Sequence, residues 1–440
     1  MPTLRGLAGW LRARLPQPLK RLLRPLIALY RAREIRRLTR APGSLSGARR
    51  RYAATPRHVV FVSQFPRGRE AKIAHGLRRA GWTVTLLYTS EPNYDLRRYF
   101  DACIRFVAPE DAVARGADLT PVAYHLFALA GDLACTHVIN AKIGPLIFDT
   151  TDMLEAAYQG NRAKLEQVWP LIRMQRHALR YADAYCARDL QFKYAKKLLN
   201  YARGGRSIFF PEYCWGVAKL LNERGAESRD SRTIRCVLAG NFGIEKMGEG
   251  DWGYLRIAEQ FIAAKVALHL YPNWFHFASS EEEFSGLFAE HLSLARSSEY
   301  FKLYRPMPAD ALATGLSRYD FGINITWSEV AGEPATSFNP ALMPYVMSAR
   351  VFDYLDAGLP VVMSRSHRLV HALLRRYKVG IEADAAFMAD IAGNLRPMAN
   401  IEARKRAVAA SHALAIERHI ERLTRFYRQV AADAGITVSA

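Results

Sequence analysis

Arg350 and Asp353 stand three residues apart in the segment SARVFDYLDAGLPVVMS, directly behind Ser348. If Ser348 caps a helix, Val351, Tyr354 and Leu355 form its buried stripe, and the two charges share a face beside its first turn. Helix N-termini favour anions, and an arginine there adds a full positive charge. The loop from Thr326 to Tyr345, roughly 20 residues, is longer than a connection requires. It carries Glu329 and Glu333, four residues apart. Together these features point to a ligand that bears phosphate, held by Ser348, Arg350 and Asp353 with Glu329 near the same side. The plainer reading is an i,i+3 salt bridge on a solvated helix face.

Two further groups could do chemistry. Asp149 and Asp152 close the segment PLIFDTTD, a strand followed by an acid-bearing turn. Carboxylates placed there lie at a sheet's carboxyl edge, where open α/β sheets bind ligands, and either could act as a general base. The alternative is that one of them caps the next helix. Gly240-Asn241-Phe242-Gly243 follows the strand-like run TIRCVLA. Its two glycines permit close approach of backbone to a phosphate or sugar, or simply a tight strand-to-helix turn. A dinucleotide site is not expected, because QFPRGRE offers Gly68 alone where GxGxxG is needed. Five dispersed cysteines with no CxxC pair argue against a zinc site or a disulfide framework.

These groups must be held by alternating strands and helices, and the sequence alternates. His58–Ser63 (HVVFVS) reads as a buried strand, the stretch from Arg69 to Arg79 as a helix, and Trp82–Tyr88 as a second strand. Val122–Leu133 reads as a helix and His137–Asn140 as a strand, followed by the strand Pro145–Asp149 and a long helix over Arg162–Tyr181. A second series begins at Thr233 and continues through Val266–Tyr271, Phe321–Ile325 and Leu359–Met363. Ala403–Val430 reads as helical and basic. The pattern predicts an α/β protein with two parallel-sheet domains. The expected boundaries are an arm and linker at 1–57, a first domain at 58–215, a linker at 216–232, a second domain at 233–405 and a C-terminal helix at 406–440.

The net charge of +21 is concentrated at one end. Residues 1–57 hold 15 Arg or Lys and one acid, Glu34, so 15 − 1 = +14 belongs to the arm and +7 to the other 383 residues. Leu4, Leu7, Leu11 and Leu15 share a helical face with Trp10 at its edge. A basic amphipathic helix of this kind is suited to an anionic bilayer surface. A transit peptide or another binding arm would share the charge, but nucleic acid has less use for a leucine stripe. No apolar run reaches the ~20 residues a spanning helix needs. The expectation is peripheral attachment through residues 1–40 to the cytoplasmic face of a membrane.

The order Arg350-x-x-Asp353-Tyr354, Gly358-x-Pro360-Val361-Val362, entered from the strand YDFGI, resembles the donor site of GT-B glycosyltransferases, particularly those near glycosyltransferase family 4. The resemblance implies two Rossmann-like domains facing across a cleft, with the final helix crossing back to the first. It also implies that Arg350 contacts a nucleotide diphosphate and that Asp353, where the family more often has Glu, holds ribose or sugar hydroxyls. The PLIFDTTD turn and the segment ADAYCARD resemble parts of the same enzymes' first domain. The implied activity is sugar transfer from a nucleotide-sugar donor, and the membrane-prone arm suits a lipid-linked or cell-envelope glycan acceptor. No DxD triplet occurs, so metal-independent transfer without a cofactor is expected. The spacing of Glu329 and Glu333 from Asp353 departs from the retaining members of the family. A non-catalytic relative that binds a nucleotide sugar or a partner, and a nucleotide-sugar 2-epimerase, share the fold and stay open.

Overall fold

The computed structural model describes residues 32–39, 52–128, 131–199, 206–219, 233–241, 253–273, 281–332 and 338–438. The amphipathic arm ahead of residue 32, Gly243 and Glu333 lie outside the described residues. The chain divides into two units, Met1–Phe210 with Ile420–Ala440, and Pro211–His419.

Unit 1 is built on seven parallel strands: β1 (His58–Ser63), β2 (Thr83–Tyr88), β3 (Ala102–Arg105), β4 (Ala123–Ala128), β5 (Leu146–Thr150), β6 (Ala184–Ala187) and β7 (Arg206–Phe209). Their order is β3-β2-β1-β4-β5-β6-β7. Every residue of β1, β4 and β5 is buried, as parallel strands covered on both faces demand. Helix α1 (Gly68–Arg79) follows β1, and α2 (Arg162–Tyr181) follows β5 after a single short turn of helix.

One stretch corrects the sequence reading. Val122–Leu133 contains strand β4 rather than a helix, and Leu133–Ala141 is a helix rather than holding a strand. The run VAYHLFALAG is rich in Ala and Leu, so a fully buried strand looks like a buried helix by composition. The real boundary is marked by Asp132, whose carboxylate accepts from the Cys135 N–H at 2.8 Å and caps the helix.

Unit 2 holds six parallel strands: β8 (Arg235–Gly240), β9 (Ala267–Pro272), β10 (Phe301–Leu303), β11 (Phe321–Asn324), β12 (Val361–Ser364) and β13 (Gly380–Ala383). Their order is β10-β9-β8-β11-β12-β13. The direction of winding reverses between β8 and β11, and that reversal is where doubly wound sheets bind ligands. The two strands pair only at Phe321–Cys236 and Gly322–Val237, so they part toward their carboxyl ends. Helix α3 (Ala349–Asp356) fills the gap from one face. Its Tyr354 hydroxyl accepts from the Ala239 N–H at 3.0 Å and donates to the Ile323 carbonyl at 2.8 Å. Gly322 makes room for that ring, since a Cβ there would lie 2.2 Å from Tyr354.

Residues 211–215 and 406–419, assigned by sequence to the first domain and to the C-terminal helix, belong to unit 2. The buried Asp356 carboxylate explains this, accepting from the N–H groups of Trp215 and Gly216 and from the Ser411 hydroxyl. The helical stretch expected over Ala403–Val430 is two helices, Ile401–Ala413 and α4 (Ile420–Asp433), separated by a turn at Ile416–Arg418. Helix α4 lies in unit 1 against α1, β4 and β7.

Candidate functional site

At the parting of β8 and β11, the structure brings together Gly240, Asn241, Ser348 and Arg350. Ser348 takes the N-cap position of α3 in extended geometry, although its side chain makes no capping bond. Arg350 then projects across the ends of both strands. Its guanidinium donates to Asn324 Oδ1 at 3.2 Å, to the Tyr254 hydroxyl at 3.3 Å and to the Asn241 carbonyl. Gly240 has φ +124°, and a Cβ there would come within 2.6 Å of Arg350 Nε. The glycine is therefore needed twice, for its backbone conformation and for the path of the arginine.

The salt bridge that the Arg350–Asp353 spacing allows is not formed. Among the described residues Arg350 has no carboxylate at ion-pair distance, and its hydrogen-bond acceptors are all neutral. Burial opposes its charge, yet the fields of Tyr254, Tyr354 and Asp353 carry the net shift upward. A guanidinium fixed by neutral acceptors keeps its whole positive charge available to an anion.

Glu329 lies one strand further along the same edge, in a short helix (Trp327–Ala331) that follows β11. Its carboxylate accepts from Thr326 Oγ1 at 2.8 Å and from the Ser366 hydroxyl, and lies 3.2 Å from His367 Nε2. Burial pushes this carboxyl up, but the His367, Ser366 and Thr326 contacts outweigh it and hold it at about 2. Glu329 thus ties the loop after β11 to the loop after β12. The roughly 20-residue stretch read as a loop contains this helix and a second turn at Pro340–Tyr345.

In unit 1 the acid-bearing turn closes β5 as the sequence suggests. Asp149 is only 2% exposed, and both nitrogens on one edge of the Arg69 fork reach its Oδ2, at 3.1 and 2.8 Å. The same guanidinium donates to the Phe210 carbonyl at 2.8 Å. His125 Nε2 faces the carboxylate at 3.4 Å while its Nδ1 shares a hydrogen bond with the Tyr427 hydroxyl at 2.7 Å. Burial raises the Asp149 carboxyl, but Arg69 and His125 overcome it and hold it at about 2.

Asp152 is the more open of the pair, 38% exposed at its side chain, with Arg188 Nη2 at 3.4 Å. Neither acid caps the next helix, whose N-cap position is Met153. The turn between them is braced instead by two buried amides. Gln175 donates to Thr150 Oγ1 at 2.9 Å, and Gln191 accepts from the Met153 N–H at 3.2 Å.

His125, Asp149 and Cys186 offer three donor atoms within 4.8 Å of one another. That cluster already contains its cation in Arg69, which also reaches Cys186 Sγ at 3.8 Å, so the donor set does not fit a metal ion. Sequence reasoning missed Arg69, His125, Tyr427, Tyr254 and Asn324. Only Asn324 carried a signal, as the last residue of a strand entering the long loop.

No family model and no curated protein matches the chain. Solved structures do match. Sucrose-phosphate synthase from Thermosynechococcus elongatus aligns with a TM-score of 0.59 at 13% identity, over 86% of this chain and 100% of that one. HepE from Anabaena, in complex with UDP-glucose, aligns at 0.54 with 14% identity, over 86% of this chain and 99% of that one. The α,α-trehalose 6-phosphate synthase from Burkholderia multivorans aligns at 0.54 with 10% identity, covering 86% and 100%. The chain has the GT-B fold. Within the GT-B fold, the Arg350 edge belongs to the second Rossmann-like unit and the Asp149–Asp152 turn to the first. At 10–14% identity the likeness is one of architecture.

Proposed function

We propose that this chain is a glycosyltransferase that moves a sugar from a nucleotide-sugar donor to a lipid-linked or cell-envelope glycan at a membrane surface. One observation carries the reading: an arginine with its full charge, held by neutral acceptors over a glycine at the switch point of a doubly wound sheet. A nucleoside diphosphate fits that place, and HepE, of the same fold, was crystallised with UDP-glucose. Transfer breaks the bond from the anomeric carbon to the diphosphate oxygen and forms one to an acceptor hydroxyl. Arg350 offsets the charge that collects on the departing diphosphate, while Asp353 stands one turn on for ribose or sugar hydroxyls.

Asp152 is the better proton acceptor of the unit 1 pair, because Asp149 is already engaged by Arg69. We assign Asp149 to positioning the turn. Residues 1–40 would attach the protein to anionic lipid on the cytoplasmic face. No helix among the described residues is long and apolar enough to cross a membrane.

The test is calorimetric titration of UDP-, GDP- and dTDP-sugars into the protein and Arg350→Ala, followed by product analysis with the nucleotide that binds. A transferred sugar supports the reading, an interconverted free sugar nucleotide marks an epimerase, and unaltered affinity in Arg350→Ala removes the donor site. For the membrane half, the full chain should co-sediment with phosphatidylglycerol vesicles and a chain lacking residues 1–31 should not.

A further inference from the structure

Helix α2 carries a second concentration of positive charge, on unit 1 and outside the acid-bearing turn. Arg173, Arg176 and Arg180 recur at spacings of three and four and so share one side of the helix. With Trp169, Tyr181 and Thr39 they line a pocket of about 310 Å³. Thr39 ends the described part of the basic arm, a helix over residues 32–39. That helix is docked through buried Ile35 and a bond from Asn140 Nδ2 to the Leu38 carbonyl at 3.1 Å. The arm therefore enters the fold beside this pocket.

The charges are not equivalent. Arg176 is neutralised by Glu155 and lies over the Trp169 ring, 5.4 Å from its centroid. Arg173 donates, among the described residues, to a hydroxyl, Thr39 Oγ1 at 3.3 Å, and the Arg180 guanidinium lies 5.5 Å from the Tyr181 ring centroid. Among the described residues neither Arg173 nor Arg180 has a carboxylate partner. The adjoining stretch 40–51 holds Arg40, Arg49, Arg50 and Arg51 and no acid. His177, in the same wall, reports the local field: burial first and Arg180 second hold it down at about 4. Trp169 lines the same pocket and is 41% exposed, and offers an apolar surface next to the guanidinium forks.

We propose that this pocket binds a phosphate monoester through Arg173 and Arg180. Two donor forks without a counter-ion match a phosphate's several acceptor oxygens, where lysines would supply only point charges. The phosphate could be carried by a lipid headgroup, with Trp169 against its glycerol and acyl carbons, or by a soluble sugar or polyol phosphate. The inference does not rest on the donor-site reading, which concerns the other unit.

The experiment titrates the full chain with dihexanoyl phosphatidic acid below its micelle concentration, with glycerol 3-phosphate, and with dihexanoylglycerol. Monomeric lipid separates the pocket from adsorption of the arm to a bilayer. Expected is saturable binding of phosphatidic acid, weakened at least ~10-fold in Arg173→Gln/Arg180→Gln, partly restored in Arg173→Lys/Arg180→Lys, and no binding of dihexanoylglycerol. Glycerol 3-phosphate binding as tightly through the same arginines assigns the site to soluble phosphates, and weaker binding assigns it to a lipid headgroup. Both residues are at the surface, and far-UV circular dichroism confirms that the variants fold. Arg350→Ala should bind phosphatidic acid as the parent does, so a failed donor site leaves this result standing. Equal affinity in the parent and the glutamine variant, or no binding of either phosphate compound, overturns the proposal.

Discussion

The two sheets end in charged side chains at their carboxyl edges, yet the charges are treated in opposite ways. In unit 1, Asp149 is sealed, paired with Arg69 and held at about 2. In unit 2, Arg350 is fixed just as firmly, but by an amide oxygen, a phenol and a backbone carbonyl. An ion pair closed on itself has little left for a ligand, whereas this cation, held by neutral acceptors, has no counter-ion among the described residues. A conspicuous acid at a strand end is thus a weaker sign of chemistry than the partners that surround it. The comparison divides the candidate site residues into those engaged by the fold and those whose charge is not neutralised among the described residues.

The largest effect should come from breaking the closed pair. Arg69→Met removes the buried carboxylate's arginine, and Asp149→Asn removes that carboxylate from the buried guanidinium. Either should cost about 3–5 kcal/mol of unfolding free energy, measured by urea denaturation. A loss under 1 kcal/mol in both would mean that the pair is not structural. Arg350→Ala should do the reverse, with little change in stability and roughly 10- to 150-fold weaker nucleotide binding, the range expected for a charge-assisted contact of about 1.5–3 kcal/mol.

Gly240→Ala sharpens the comparison, because it leaves Arg350 in place chemically and displaces it sterically. Its nucleotide affinity should fall toward that of Arg350→Ala, and titration of the two side by side checks this. Parent-like affinity would show that the arginine's path is not what the ligand reads.

The acid profile gives the most general check, because it sums several groups. Asp149 and Glu329 lie at about 2 when folded, against ordinary values of 3.8 and 4.5. The unfolded chain therefore takes up their protons first as pH falls. Their contribution, on the order of 2–3.5 kcal/mol each, is complete above about pH 4.5 and lost toward about pH 2. His177 and His269, held down at about 4 chiefly by burial, add an earlier loss between 6.5 and 4. Urea midpoints from pH 7 to pH 2 should decline through both windows, and a flat response below pH 4.5 would contradict the sealed carboxylates.

Much of the unit 2 site was legible. Ser348, Val351, Tyr354 and Leu355 lie where the helical spacing puts them, and Gly240, Asn241 and Arg350 do meet at one edge. The reason is local: a cap position, a 3.6-residue stripe and a glycine after a strand are set by neighbours in sequence. The stretch 122–141 was illegible for the opposite reason. An Ala- and Leu-rich apolar run suits a buried helix and a doubly covered strand equally, and only the sheet that receives it distinguishes them.

What the sequence by itself determined is the alternation of elements, the concentration of +14 of the +21 charge in residues 1–57, and the short-range geometry around α3. What the tertiary structure decided is the partners of the charges at the two sheet edges. Arg69 reaches Asp149 from 80 residues away, His125 meets Tyr427 across 302, and Arg350 finds Asn324 and Tyr254 rather than its near neighbour Asp353. Whether a charged group is spent on the fold or left for a ligand depends on distances of about 3 Å. Separation along the chain does not encode such distances; they arise when the strands close into sheets and the helices pack on them.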